Sequence, residues 1–156
     1  MKFLIVTLVL CMAHPAAADE LEDLVQQQNR LERRLVDFLK RHKVRKPRFY
    51  AKIITAHPMP DRKKKVLAAI LVPESRGDAS AVSSKGAEGP WQVMPAWKRI
   101  LKIRGSLKDP VTCLNAAVKV YDIHLREAGN ERDALYGYSG GSRWYPGVIN
   151  RLVAEI

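Results

Sequence analysis

Apolar residues recur at helical intervals along most of the chain, and this periodicity predicts a mainly α-helical fold. From Asp19 to Lys40 the apolar positions follow every third or fourth residue, so they share one face of an amphipathic helix. The face comprises Leu21, Leu24, Val25, Gln28, Leu31, Leu35, Phe38 and Leu39. Acidic residues at the start of this segment and basic residues at its end favour the helix dipole. We therefore expect a long helix in this part of the chain.

Six further segments are predicted to be helical, and proline or glycine bounds most of them. They are residues 49–57, 63–72, 95–103, 111–127, 133–138 and 145–154. The one strand-like feature is a short hairpin within residues 80–92. Without residues 1–18, which are discussed in the next paragraph, the chain has the length of one ordinary domain. The expected fold is therefore a mainly α single domain.

Residues 1–18 have the pattern of a signal peptide. A short basic start precedes an apolar run, Phe3 to Ala13, that is too short to span a bilayer, and Ala16 to Ala18 form a small-residue cleavage site. We expect cleavage near Ala18 and export to the periplasm or cell envelope. Leu10 precedes Cys11 where a lipoprotein site has a small residue, which argues against lipid anchoring. The alternative is an uncleaved membrane anchor.

Basic residues are concentrated between Arg30 and Lys65, where 14 Lys and Arg accompany 3 Asp and Glu. The rest of the exported chain is near neutral, so this stretch supplies the basic excess of a protein with formal net charge +11. Such a surface favours an anionic envelope polymer or a membrane surface as partner. Nucleic acid also binds basic surfaces, but we expect none here. The alternative interpretation is a solvated face that aids solubility.

Few residues are available for metal or redox chemistry. Without the signal, Cys113 is the one cysteine, so no intramolecular disulfide can form, and we expect a small buried hydrophobic residue. His42, His57 and His124 do not have metal-ligand spacing. The sequence therefore predicts no metal site and no cofactor.

One carboxylate continues an apolar helical face. Leu67, Ile70, Leu71 and Glu74 follow at helical spacing, and a Gly- and Ser-rich loop comes directly afterwards. A carboxylate that is partly desolvated has a raised pKa, and a general acid needs a raised pKa to hold its proton at neutral pH. Glu74 is the candidate catalytic residue; the alternative is a helix-terminal glutamate that points into water.

The residues after Glu74 form a motif. Glu74-Ser75, Asp78, Ala81-Val82-Ser83, Gly86-Ala87-x-Gly89 and Gln92-x-Met94-Pro95 occur in that order. This spacing resembles the catalytic domain of SLT-type lytic transglycosylases, which have a goose-lysozyme-like fold. A second block, residues 134–141, is similar to the family's A-L-x-x-Y-N-A-G. The resemblance covers roughly residues 66–156, so we expect a lysozyme-like core there and a basic helical region over residues 19–65.

The resemblance implies that the substrate is peptidoglycan glycan strands, cut at the β-1,4 bond from N-acetylmuramic acid to N-acetylglucosamine. Glu74 is expected to protonate the leaving oxygen with assistance from the substrate's acetamido group. It then takes the proton of the muramoyl 6-hydroxyl, which attacks the anomeric carbon and gives a 1,6-anhydro product.

Matching positions imply five substrate-binding residues. Ser83 is expected near the acetamido group, Tyr138 is expected to reach Glu74, and Gln92 and Met94 are expected to line the saccharide groove. Ser75 is expected to position the turn at Glu74. For the two serines and for Met94 a structural role in loop or core is the alternative.

Aromatic residues offer further saccharide contacts. Trp91, Trp97 and Trp144 can stack on sugar faces, but buried aromatic residues more often belong to a core. We expect Trp97 to be a core residue and leave both interpretations open for the other two.

Departures from the family pattern keep two alternatives open. Pro73 precedes the glutamate, Glu88 and Pro90 replace apolar residues, and Ser139 and Gly140 replace Asn and Ala. A lysozyme-type muramidase would need a positioned water or a second acid, for which Asp78 and Glu88 are the candidates. A non-catalytic peptidoglycan-binding or envelope scaffold protein is the other alternative.

Overall fold

The computed structural model describes residues 15–156, and this part of the chain forms seven α-helices without a regular strand. They are α1 Pro15–Arg41, α2 Pro47–Ala56, α3 Asp61–Glu74, α4 Pro95–Ile100, α5 Pro110–Ala128, α6 Glu131–Tyr138 and α7 Tyr145–Ala154. The mainly α prediction is confirmed, and every predicted helix is present. Most of the predicted signal peptide lies outside the described residues. Among those residues, no helix combines the length and the apolar character needed to cross a bilayer.

Helix α3 is the centre of the core. Every residue from Val66 to Leu71 is fully buried, as expected of a helix that is apolar all round rather than on one face. Helices α1, α2 and α7 pack around it, and Ala68 and Ala69 allow close approach. The helix continues through Pro73 to Glu74. The C-terminal end of a helix with a fully buried central segment therefore fixes the position of Glu74.

Helix α1 uses only part of its predicted apolar face. Leu35, Phe38 and Leu39 are fully buried in the core, whereas Leu24 is 62% exposed. The C-terminal half of α1 thus packs on the body of the protein, and its N-terminal half does not. His42, just after α1, lies within hydrogen-bond distance of Glu155, with Nε2 and Oε2 2.7 Å apart, which ties this helix to the end of the chain.

The irregular loop between α3 and α4 is held in place by backbone bridges and by one buried side chain. Isolated antiparallel bridges pair Val82 with Glu88 and Glu88 with Val93, in the region of the predicted hairpin. The Trp91 side chain is fully buried, and its Nε1 donates to the Leu67 carbonyl oxygen at 2.8 Å. Trp91 is therefore a core residue, and it anchors the loop to the central helix.

Two loop glycines have the same backbone conformation but differ in the space around them. Both Gly86 (φ +83°) and Gly89 (φ +75°) are left-handed, but a Cβ on Gly89 would lie 1.9 Å from the Leu107 carbonyl oxygen, whereas one on Gly86 meets nothing within 4 Å. Gly86→Ala is expected to lower the free energy of unfolding by about 1–2 kcal/mol. Gly89→Ala must also displace backbone, so we expect a loss above about 3 kcal/mol. Urea unfolding followed by circular dichroism tests this, and equal losses would contradict it.

Candidate active site

A cleft of about 540 Å³ opens at the C-terminal end of α3. Its walls come from the end of α3, the 83–94 loop, Trp97 of α4, His124 of α5 and the segment that joins α6 to α7. Glu74 lies in this cleft together with Ser83, Gln92, Met94 and Tyr138. The fold thus brings four of the five predicted substrate-binding residues beside the predicted catalytic residue.

The Glu74 carboxyl is largely withdrawn from water. Burial raises its pKa from 4.5 to about 7, and a hydrogen bond from the Tyr145 hydroxyl to Oε1, at 2.5 Å, partly opposes this shift. Tyr145 is itself buried at the start of α7. A carboxyl with a pKa about 7 exchanges its proton readily at neutral pH, as a group that acts first as acid and then as base must do.

The tyrosine that holds Glu74 is not the one expected. The Tyr138 hydroxyl, predicted to reach Glu74, donates instead to the Trp91 carbonyl oxygen at 2.9 Å. Tyr138 therefore lines the cleft while it ties α6 to the loop. Tyr145 was missed because it follows the second motif block, in a segment that matched no pattern. The only signal for it was an aromatic pair, Trp144-Tyr145, at the predicted start of the last helix.

Ser75 is the predicted binding residue that does not line the cleft. Its Oγ donates to the Pro90 carbonyl oxygen at 2.7 Å and accepts from the Gly77 N–H at 3.0 Å. These bonds join the two ends of the loop that follows Glu74. The position of Ser75 thus favours the alternative structural role, because the backbone of the loop occupies its hydroxyl.

Ser83 and Gln92 combine cleft positions with bonds to the loop. Ser83 Oγ accepts from the Ala87 N–H at 3.0 Å. Gln92 Nε2 donates to the carbonyl oxygens of Gly89 and Ala81, at 2.8 and 3.3 Å. Both donor hydrogens of the Gln92 amide are thereby used, so its amide oxygen is the group that remains for a ligand.

The two candidate second acids lie elsewhere. Asp78 forms an ion pair with Arg45 at 2.9 Å, and hydrogen bonds from Ser80 lower its pKa. Glu88 sits in the bridges of the hairpin and does not line the cleft. Among the residues that line the cleft in the described part of the chain, Glu74 is the one carboxylate.

The family described as Transglycosylase SLT domain matches residues 52–145, more than half of the chain. The chain belongs to this family. Comparisons with curated proteins and with solved structures gave no match. Membership indicates lytic transglycosylase-type activity in general, with peptidoglycan as the substrate. The match begins within α2 and ends at Tyr145, so this SLT domain contains both partners of the Glu74–Tyr145 hydrogen bond.

Aromatic side chains form part of the cleft of this SLT domain. Trp144 is 61% exposed at its edge. Trp97 packs against the core, as expected, and also lines the cleft, where its ring meets that of His124 edge-on with centroids 5.6 Å apart. Trp144 is therefore largely open to solvent, although its ring also lies against that of Tyr145 with centroids 5.7 Å apart.

A second hollow, of about 680 Å³, lies along α1 and beside Arg48. Its walls carry both acidic and basic side chains, including Glu32, Asp37 and Lys40, and no residue of either motif block. Size alone therefore does not single out the candidate site, and the cleft at Glu74 is the candidate because it holds residues of both motif blocks. Among the described residues, no group of three or more His, Cys, Asp or Glu side chains could hold a metal ion.

Replacement of Tyr145 by phenylalanine should change the titration of Glu74. The hydrogen bond from Tyr145 favours the charged carboxylate, so loss of this bond raises the Glu74 pKa further. If Glu74 is the general acid expected from the sequence, we expect the high-pH loss of activity to move to higher pH and kcat to fall about tenfold or more. The pH profile of kcat and carbon-13 NMR of the Glu74 carboxyl measure both effects. Tyr138→Phe is the matched control, and an unmoved profile in Tyr145→Phe would contradict the assignment.

Proposed function

We propose that this protein is an exported lytic transglycosylase that cleaves the MurNAc-β-1,4-GlcNAc bond and leaves a 1,6-anhydro-MurNAc end. One observation carries the proposal: among the described residues that line the cleft, Glu74 is the one carboxyl, and burial raises its pKa to about 7. A hydrolase with two carboxylates flanking the bond needs a second acid. Asp78 and Glu88 do not line the cleft, so the single-acid reaction fits better.

The proposed reaction uses one carboxyl group twice, first as acid and then as base. Protonated Glu74 gives its proton to the glycosidic oxygen as the bond to the anomeric carbon breaks, and the acetamido oxygen of the muramoyl sugar stabilises the positive charge. The Glu74 carboxylate then takes the proton of the muramoyl 6-hydroxyl, whose oxygen bonds to the anomeric carbon. Glu74 ends protonated and no water is consumed. The hydrogen bond from Tyr145 stabilises the carboxylate between the two steps.

The surrounding residues have proposed roles in saccharide binding. Ser83 lies on the loop that borders Glu74 and is proposed to contact the acetamido group, and the amide oxygen of Gln92 to accept a sugar hydroxyl. Met94, 39% exposed, and Tyr138 supply apolar and aromatic surface. Trp144 is proposed to stack on a sugar ring, since it is largely exposed at the edge of the cleft.

Mass spectrometry of fragments that the mature protein releases from purified peptidoglycan tests the reaction. We expect muropeptides lighter by one water than hydrolysis products, release reduced at least about a thousandfold in Glu74→Gln, and nearly full activity in Asp78→Asn. Reducing-end products would favour the muramidase alternative, especially if Asp78→Asn is inactive. Binding to sacculi without release, by a folded sample, would favour the scaffold alternative.

Export is part of the proposal, with cleavage near Ala18, and N-terminal sequencing of envelope-associated protein tests it.

The basic region, residues 30–65, is proposed to hold the exported enzyme on an anionic component of the envelope. Much of its C-terminal part is neutralised within the protein, because Arg62 pairs with Glu131 and Lys63 with Asp122. The exposed cations of the basic region that form no ion pair in the described structure lie along α1, in the turn after it and on α2; they are Arg30, Arg33, Arg34, Lys40, Arg41, Lys43, Lys46, Arg48 and Lys52.

Reversal of two charges should weaken this attachment. Arg48→Glu with Lys52→Glu is expected to reduce co-sedimentation with wall polymer or anionic lipid vesicles several-fold at low salt, because each reversal replaces attraction with repulsion. Arg126→Glu with Arg132→Glu makes the same charge change on exposed sites of α5 and α6. Equal losses in the two variants would show that net charge, and not this face, determines attachment.

A further inference from the structure

We propose that Lys85 forms an ion pair with a carboxylate on the O3 substituent of the muramoyl sugar and so makes binding depend on the charge of that substituent. The inference rests on the proposed function, because it concerns the same cleft. It concerns a residue that neither motif block assigns.

Lys85 lies at the tip of an ordered hairpin turn. The Gly86 N–H donates to the Ser83 carbonyl oxygen at 2.9 Å, and the Ser83 N–H donates to the Ala87 carbonyl oxygen at 2.9 Å. The Ser83 side chain closes the same turn through its bond with the Ala87 N–H. The backbone beneath Lys85 is thus fixed at the cleft wall, and the long side chain is exposed.

No acid in the cleft neutralises Lys85. Glu74 is the one carboxylate among the described lining residues, and its Oε1 is engaged by Tyr145. Lys85 forms no ion pair within 4.0 Å anywhere in residues 15–156. A cation that stands without a counter-charge in a substrate cleft is suited to bind an anionic part of the substrate.

The proposed substrate has anions in one place only. Its sugars are joined through neutral hydroxyl and acetamido groups, and the muramoyl O3 carries the lactyl arm. On a strand stripped of peptide this arm ends in a carboxylate, and on an intact strand it continues into a peptide that bears carboxylates. Both sources offer the same chemistry to Lys85.

Binding to the Glu74→Gln variant, which holds substrate without turning it over, separates these sources. Lys85→Gln is combined with Glu74→Gln and titrated with peptide-bearing glycan, with stripped glycan and with a neutral chito-oligosaccharide. We expect Kd to rise about two- to fivefold for at least one charged glycan, as for an exposed ion pair, and to stay unchanged for the neutral one. The difference should vanish at high salt. Lys85→Arg should retain affinity, and Lys108→Gln, a change of one exposed charge outside the cleft walls, is the matched control.

The three ligands give distinct outcomes. A loss confined to stripped glycan identifies the lactyl carboxylate, a loss confined to peptide-bearing glycan identifies the peptide, and a loss on both assigns either carboxylate to Lys85. An equal loss on the neutral ligand, or no loss on any, would overturn the proposal. These measurements do not use turnover, so a failure of the proposed reaction is seen separately, as absence of anhydro products from the wild-type protein.

Discussion

The hydrogen bond between Tyr145 and the buried Glu74 carboxyl is the contact on which the site depends. Glu74 is held at the end of a helix that is surrounded by apolar neighbours, so its carboxyl is desolvated by the same packing that forms the core. Tyr145 supplies the one polar contact that keeps the group oriented, and it reaches Glu74 only because α7 packs against α3. Trp91 and Tyr138 fix the loop on the other side. The packing that forms the core therefore also determines the geometry of the candidate site.

This arrangement carries a cost in stability that depends on pH. The pKa of Glu74 is higher in the folded protein, about 7, than its ordinary 4.5, so between these values the folded chain binds more protons than the unfolded one. The free energy of unfolding therefore falls as pH rises through this window, by roughly 3 kcal/mol for this group. Below pH 4.5 the carboxyl is protonated in both states and the effect disappears. The apolar core around α3 must offset this loss at neutral pH.

The helices and Glu74 could be predicted because the signals for them are local. Helical periodicity places each element, and burial of the middle of α3 follows from the run of apolar residues before Glu74. Contacts that join distant segments could not be predicted in the same way. How α6 and α7 pack decides that Tyr145, and not Tyr138, contacts Glu74. The position of Ser75 depends on where the Pro90 carbonyl lies. The exposure of Leu24 could not be predicted either, because its place in the helical repeat predicts burial, whereas no element of the described structure covers it.

The Glu74–Tyr145 bond joins residues 71 positions apart, and the contact between His42 and Glu155 joins the end of the first helix to the end of the last one. Each of these contacts closes a long segment of chain and must offset the entropy of that closure. A chain that lacks α7 has Glu74 but not the hydroxyl that orients it. The candidate site is therefore complete only when the last helix has docked on α3.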